Sequence, residues 1–145
     1  MPYSCKGFAQ CGEEIFWSVV TLKAKGIPLL IEKLDDSTAT KAGVVLFGGN
    51  HTVADIAYVA LKEIIHGIPT FELLGTEFNR AGCGYCEYWN FLRKDDQNRL
   101  NFKLAIKNWY NKNKKHLFWV PNHEFSSCDC YGKHPNAGHY EVKKP

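Results

Sequence analysis

The segment 43–74 constrains the fold most strongly, because it joins two apolar runs through a glycine-rich turn and a capped helix. "GVVLFGG" at its start and "TFELL" at its end predict buried strands. Between them, Thr52 and Asp55 have the spacing of a helix capping box, and Gly67 followed by Pro69 stops the helix. Strand, turn, helix and strand in this order predict a βαβ unit.

The remaining pattern completes the prediction of the fold class. "IPLLIEKL" predicts another strand, while "EEIFWSVVTLKA" suits a helix by its apolar spacing and a strand by its β-branched content. A helix is predicted from about Gln97 to Asn111, and "HLFWV" and "GHYEVKK" predict two later strands. We therefore expect a single compact domain over 1–145, of class α/β or α+β, with a mixed sheet of about five strands and about three helices.

Positive charge is concentrated in the last part of the chain, from about residue 93. Residues 1–92 carry 7 basic and 10 acidic side chains, whereas residues 93–145 carry 11 basic and 5 acidic ones. Arg99, Lys103 and Lys107 recur at four-residue intervals, so the predicted helix stacks them on one face, called here the basic stripe. Nucleic acid is the first candidate partner for such a surface, and an ordinary solvated lysine-rich face is the alternative.

The nucleic-acid hypothesis gives these side chains specific roles. Basic groups would contact phosphates, and an aromatic ring would stack on unpaired bases. The predicted binding residues are Arg99, Lys103, Lys107, Lys112, Lys114, Lys115 and Trp119. Trp109 and Tyr110 are further stacking candidates, although they share the apolar face of the helix with Phe102 and Ile106.

Six cysteines in three close pairs predict a metal site. The pairs are Cys5 with Cys11, Cys83 with Cys86, and Cys128 with Cys130. A gap of two residues lets two thiolates reach one zinc ion, and a second group of cysteines or a histidine completes a tetrahedron. The predicted zinc ligands are Cys83, Cys86, Cys128, Cys130 and His134. Reduced, buried cysteines without metal are the alternative.

The motif "CGYC" of Cys83 and Cys86 also resembles the active site of thioredoxin-like proteins, particularly bacterial disulfide isomerases. The resemblance implies a reactive thiol at the start of a helix, where the helix dipole lowers its pKa. It also implies that Val120–Pro121 corresponds to the cis-proline of that family. A redox enzyme is therefore one alternative function.

The end of the chain supports a second enzymatic alternative. "AGHYEV" is similar to the histidine box of papain-like ubiquitin-specific peptidases, in which "GHY" opens a strand that carries the general base. The resemblance implies His139 as the base and a cysteine at the start of a helix, Cys86 or Cys11, as the nucleophile. Besides Cys11, the catalytic candidates of the two enzymatic hypotheses are Cys83, Cys86 and His139.

The compartment decides which cysteine chemistry applies. In an oxidising compartment, six cysteines allow 15 disulfide connectivities. The opening "MPYSCKGFAQ" lacks the pattern of a secretory signal, and no apolar run approaches the roughly 18 to 20 residues of a membrane span. We expect a cytoplasmic accessory protein that is stabilised by a metal site, binds nucleic acid and does not associate with a membrane. A secreted mature chain and a protein partner are the alternatives.

Overall fold

The computed structural model describes residues 14–43, 49–75, 86–122 and 136–144. Within these ranges the chain forms six α-helices and two antiparallel pairs of strands. The helices are α1 (Glu14–Val20), α2 (Gly26–Glu32), α3 (Val53–Ile64), α4 (Thr70–Leu74), α5 (Cys86–Lys94) and α6 (Asp96–Asn113). The strands are β1 (Ala39–Gly43), β2 (Asn50–Thr52), β3 (Leu117–Pro121) and β4 (Gly138–Val142). No helix among these residues is long and apolar enough to cross a membrane.

Five helices share one hydrophobic cluster with α3 at its centre. Tyr58 and Ile64 of α3 are almost completely buried, and the ring of Tyr58 packs on Tyr88 of α5 and Phe102 of α6 at centroid distances of 5.2 Å each. Ile27 contributes the buried face of α2. Because α3 is apolar on most of its circumference, it can be covered by neighbouring helices on several sides.

The predicted helices α3 and α6 are confirmed, together with the capping box of α3. The side chain of Thr52 accepts a hydrogen bond from the backbone N–H of Asp55, and the Asp55 carboxylate accepts one from the backbone N–H of Thr52. Asp95 caps α6 by accepting a bond from the N–H of Gln97. Such caps satisfy donors that have no partner within the helix.

The prediction of a mixed sheet of about five strands with about three helices is wrong. The structure is α+β, with only two two-stranded sheets and six helices among the described residues. "IPLLIEKL" forms most of α2, and "TFELL" forms α4. The βαβ unit is absent from the described ranges, because β1 and β2 pair antiparallel and a helix follows α3; most of "GVVLFGG" lies outside those ranges.

The error at "IPLLIEKL" has a physical explanation, and so has the point at which α4 ends. In "IPLLIEKL" the residues Ile27, Leu30, Ile31 and Leu34 are buried, which is the i, i+3, i+4, i+7 spacing of a helix. Over so short a run, that spacing cannot be distinguished from a buried strand. In α4, Gly75 adopts a left-handed conformation at φ 73° and donates its N–H to the carbonyl of Glu72, which ends the helix.

The two strands predicted near the end of the chain are confirmed and form a hairpin-like pair. β3 and β4 pair antiparallel, with Val120 opposite His139 and Phe118 opposite Glu141. The sheet is attached to α3 because the backbone N–H of His66 donates to the carbonyl of Tyr140. This attachment brings the end of α3 beside β4 and the end of α6.

Candidate functional site

The basic stripe of α6 is engaged by acidic residues of the same chain. The ammonium of Lys103 donates to Asp35 at 2.9 Å, and Lys107 donates to Glu32 at 2.8 Å. The bond to Asp35 raises the pKa of Lys103, and the bond from Lys107 lowers the pKa of Glu32. Both lysines therefore fasten α6 to the end of α2 and the turn that follows it.

Arg99 of the stripe is buried instead of facing a phosphate. It is 3% exposed, and its Nη1 donates to Oδ1 of Asp55 at 3.1 Å. Arg93 of α5 donates to the other oxygen of the same carboxylate at 3.4 Å. Asp55, which is 1% exposed, thus joins α3, α5 and α6 in one ion network.

Trp119 also packs against other side chains of the same chain. The ammonium of Lys23 lies 4.4 Å from the centroid of the Trp119 ring, and Tyr140 meets the indole edge-on at 5.0 Å. A cation over the ring face occupies the surface on which a base would stack. Lys114 and Lys115 remain exposed in the 3₁₀ turn after α6.

A groove of about 1020 Å³ lies where α6, the turn after α3 and the residues after β4 meet. Trp109 lines it and is partly buried. Glu141 is its only acidic lining residue in the part of the chain that the structure describes. The basic and imidazole side chains along it are His66, Lys112, His116, Lys143 and Lys144. Lysines thus outnumber carboxylates by three to one, so the groove attracts anions.

The predicted catalytic histidine lies beside this groove. His139 is 9% exposed, and its Nε2 is 3.2 Å from Oε1 of Glu141. His66 stacks on the His139 ring with centroids 3.6 Å apart. His139 and Glu141 lie two residues apart on β4 and so project from the same face of the strand.

A second polar cluster surrounds the start of α3. His51 is 5% exposed, its Nδ1 lies 3.9 Å from Oδ2 of Asp55, and Trp89 of α5 meets its ring edge-on at 6.0 Å. Burial lowers the pKa of His51 and therefore favours the neutral imidazole. A neutral imidazole is the form that binds metal ions.

The predicted zinc ligands lie almost entirely outside the described residues. This holds for Cys83, Cys128, Cys130 and His134, while Cys86 is described only as part of the backbone of α5. Among the described residues, no three side chains of His, Cys, Asp or Glu lie together as a metal-binding group. The zinc hypothesis therefore stays a prediction.

Two expectations from the thioredoxin resemblance meet described residues. The Val120–Pro121 peptide bond is trans, and Pro121 ends a strand of a two-stranded antiparallel sheet. The segment "TFELL", which precedes the motif in the sequence and was predicted above as a strand, is the helix α4. The environment of Cys83 lies outside the described residues.

Sequence reasoning missed several residues of these clusters. Lys143 and Lys144 end the segment "GHYEVKK" that was predicted as a strand, and two consecutive lysines there could have been recognised as a basic site. The two-residue spacing of His139 and Glu141 on a predicted strand was another recognisable signal. The approach of Trp89 to His51 depends on how α5 packs on α3, and no local pattern could predict it. Comparison of the chain with protein-family models, curated proteins and solved structures gives no match.

Proposed function

We propose that this protein binds single-stranded nucleic acid in the groove between α6 and β4, and that a Cys/His metal site stabilises its fold. The observation that supports nucleic-acid binding is the lining of the groove, which includes Lys112, Lys143 and Lys144 together with a partly buried Trp109. Lysines that neutralise phosphates, combined with an aromatic ring for stacking, are the two elements of single-strand binding.

The groove is a better candidate than the basic stripe because its lysines form no ion pair with a described residue. In the part of the chain that the structure describes, no ion pair engages Lys112, Lys143 or Lys144. Lys103 and Lys107 would have to give up Asp35 and Glu32 before they could contact a phosphate. Lys112 also stabilises the carboxyl end of α6, whereas Lys143 and Lys144 follow β4 and have no such role.

The test uses the double variant Lys143→Gln/Lys144→Gln. Binding of labelled oligothymidylate and oligouridylate is measured by fluorescence anisotropy over a series of salt concentrations. Each lost phosphate contact lowers the slope of log K against log salt by about 0.7 for a single strand, so the slope should fall by about 1.4. Trp109→Leu should weaken binding without changing the slope, because stacking releases no counterions.

The matched control is Lys114→Gln/Lys115→Gln, which removes the same charge a few residues from the groove. It should leave the slope almost unchanged. Equal effects of the two double variants would show a diffuse electrostatic attraction and contradict binding in the groove. Equally tight binding of polyglutamate would identify an acidic protein surface, and not nucleic acid, as the partner.

The metal part of the proposal rests on the donor set of the sequence. Cys83 and Cys86, with ligands from Cys128, Cys130 and His134, offer the soft donors that zinc prefers. Thiolates must stay reduced to bind the ion, so the cytoplasm is the compartment that fits this proposal. Native mass spectrometry of the reduced protein, with and without chelator, should show about one zinc per chain. A metal-free chain with unchanged thermal stability would contradict it.

A second candidate function is a cysteine hydrolase with His139 as the general base. The pairing of His139 with Glu141 favours it, because a catalytic histidine is oriented by a third group that holds its other nitrogen. The nucleophile would be one of the sequence candidates, Cys11, Cys83 or Cys86. Glu141 is the third member that the sequence pattern alone did not identify.

Alkylation of the cysteines tests this second candidate. A thiol activated by His139 should react with iodoacetamide faster than the other thiols at pH 6, and His139→Ala should abolish that difference. His116→Ala is the matched control, since His116 is an exposed histidine of the same region. Uniformly slow labelling, or fast labelling that His139→Ala leaves unchanged, would refute the hydrolase hypothesis.

A further inference from the structure

The carboxylate of Glu141 lies in the groove between α6 and β4, where a bound molecule can reach it. Among the residues that the structure describes, Glu141 is the single carboxylate that lines this groove, and its side chain is 47% exposed. His139, two residues earlier, projects from the same face of β4. The ring of His139 stacks on His66, which also lines the groove. The side chain of Glu141 is therefore on the groove side of the strand.

Glu141 is held in position and still has acceptor sites for a ligand. Nε2 of His139 lies 3.2 Å from Oε1 of Glu141. The two oxygens of a carboxylate offer about four acceptor sites, so this contact occupies only a part of them. A carboxylate can accept two hydrogen bonds side by side, and it donates none.

Backbone and side-chain hydrogen bonds join the elements that carry Trp109 and Glu141. The backbone N–H of Lys143, just after β4, donates to the carbonyl of His116 at 2.8 Å, in the turn directly after α6. Asn113, at the end of α6, donates its side-chain amide to the carbonyl of Trp109 at 2.8 Å. An aromatic ring and a carboxylate on joined elements can recognise an unpaired base, by stacking on its face and by bonding its edge.

We propose that the groove prefers guanine and that Glu141 determines this preference; the inference rests on the proposed binding of single-stranded nucleic acid. The Watson–Crick edge of guanine presents two neighbouring donors, N1–H and the N2 amino group, which match the two acceptor oxygens of a carboxylate. Adenine and cytosine present one donor beside an acceptor, and thymine and uracil present one donor between two acceptors. Each of these bases would place an acceptor against a carboxylate oxygen, and that repulsion disfavours it.

This role accounts for a carboxylate in a groove that otherwise attracts anions. A negative group repels phosphates, so it weakens binding unless it contacts another part of the ligand. Lys143 and Lys144 follow Glu141 by two and three residues and line the same groove. The lysines would contact phosphates, which fix the position of the strand, while Glu141 would contact the base edge, which carries the sequence information.

The test measures the binding of labelled oligothymidylate DNA that carries one central guanine, inosine or adenine. The probes are DNA, so a ribose 2′-hydroxyl cannot cause a difference between them, and inosine differs from guanine only by lacking the N2 amino group. Wild type should bind the guanine strand at least about fivefold more tightly than the adenine strand, which is the low end of discrimination by a bidentate base contact. The inosine strand should lose most of this preference.

Glu141→Gln should change the preferred base. The substitution replaces one acceptor oxygen by a donor amide, and the resulting acceptor and donor match the Watson–Crick edge of adenine. The guanine preference should therefore be lost and shift towards adenine, whereas the loss of negative charge should strengthen the binding of all three strands alike. Glu72→Gln removes an exposed carboxylate that does not line the groove, and it should keep the wild-type preference.

The outcomes separate this inference from the proposed function. Equal affinity of wild type for the guanine, inosine and adenine strands would overturn the role of Glu141 and leave single-strand binding in the groove intact. A guanine preference that Glu141→Gln leaves unchanged would overturn it as well. Absence of binding to all three strands in wild type would overturn the proposed function itself.

Discussion

Replacing Arg99 by Met should destabilise the fold strongly, although the sequence pattern placed Arg99 on a nucleic-acid surface. The substitution keeps a long side chain but removes the charge that pairs with Asp55. Both groups are almost fully buried, at 3% and 1% exposure. Removing one partner of a buried ion pair costs about 3 to 5 kcal/mol, since the other charge stays buried.

The lower end of that range applies here because Asp55 keeps other partners. Its Oδ2 still accepts from the backbone N–H of Thr52 at 2.8 Å and from Arg93 at 3.4 Å. We therefore expect Arg99→Met to lower the free energy of unfolding by about 3 kcal/mol. For a chain of this length, that corresponds to a fall in Tm of about 6 to 12 °C. Arg99→Lys should lose less stability, because lysine keeps the positive charge. It should still lose some, because lysine lacks the forked guanidinium.

Urea denaturation followed by circular dichroism measures the effect, with Lys107→Met as the control. Lys107 and its partner Glu32 are about half exposed, so solvent screens that pair and breaking it should cost much less than breaking the buried pair of Arg99. At temperatures where Arg99→Met is folded, its affinity for oligothymidylate should equal that of wild type. A stability loss below about 1 kcal/mol together with weaker nucleic-acid binding would refute the assignment of Arg99 to the interior.

Two further predictions follow from single contacts. The bond from Lys107 lowers the pKa of Glu32, so the Glu32 carboxylate takes up a proton less readily in the folded state than in the unfolded state. The stabilisation of the fold by this pair is therefore fully present above the ordinary pKa of 4.5, and it is lost as pH falls through the folded pKa. The stability difference between wild type and Lys107→Met should therefore shrink between pH 6 and pH 3 in urea titrations. Gly138→Ala should cost about 1 to 3 kcal/mol in the same assay, because at φ 155° an added Cβ would lie 2.7 Å from the Trp119 ring; an unchanged midpoint would contradict that packing.

The helices that could be predicted from the sequence are those whose starts are marked by capping residues. Helix α3 has a capping box and helix α6 has an aspartate cap with a long apolar period, and both were placed within a few residues. Helices α2 and α4 are only 7 and 5 residues long, so they show too few turns for a period to emerge. What distinguishes them from strands is their packing on the larger helices, which is not a local property.

The basic stripe shows a different limit of sequence reasoning. Helical spacing correctly indicates that Arg99, Lys103 and Lys107 share one side of α6, but it does not show what faces that side. Asp35, the partner of Lys103, lies 68 positions earlier in the chain. Asp35 becomes a neighbour of Lys103 only because α2 packs on α6. The stripe resembles a binding surface in the sequence, but in the structure it forms ion pairs within the same chain.

Part of the charge asymmetry of the chain is therefore neutralised within the fold, where Arg93, Arg99, Lys103 and Lys107 pair with carboxylates, and this changes the expected strength of binding. If all six basic residues of the original hypothesis contacted a single strand, the slope of log K against log salt would be about −4. The three groove lysines, Lys112, Lys143 and Lys144, would give about −2. The smaller value describes a modest binder whose affinity depends substantially on Trp109 stacking. The measured slope in wild type thus separates the sequence-based surface from the groove before any variant is made.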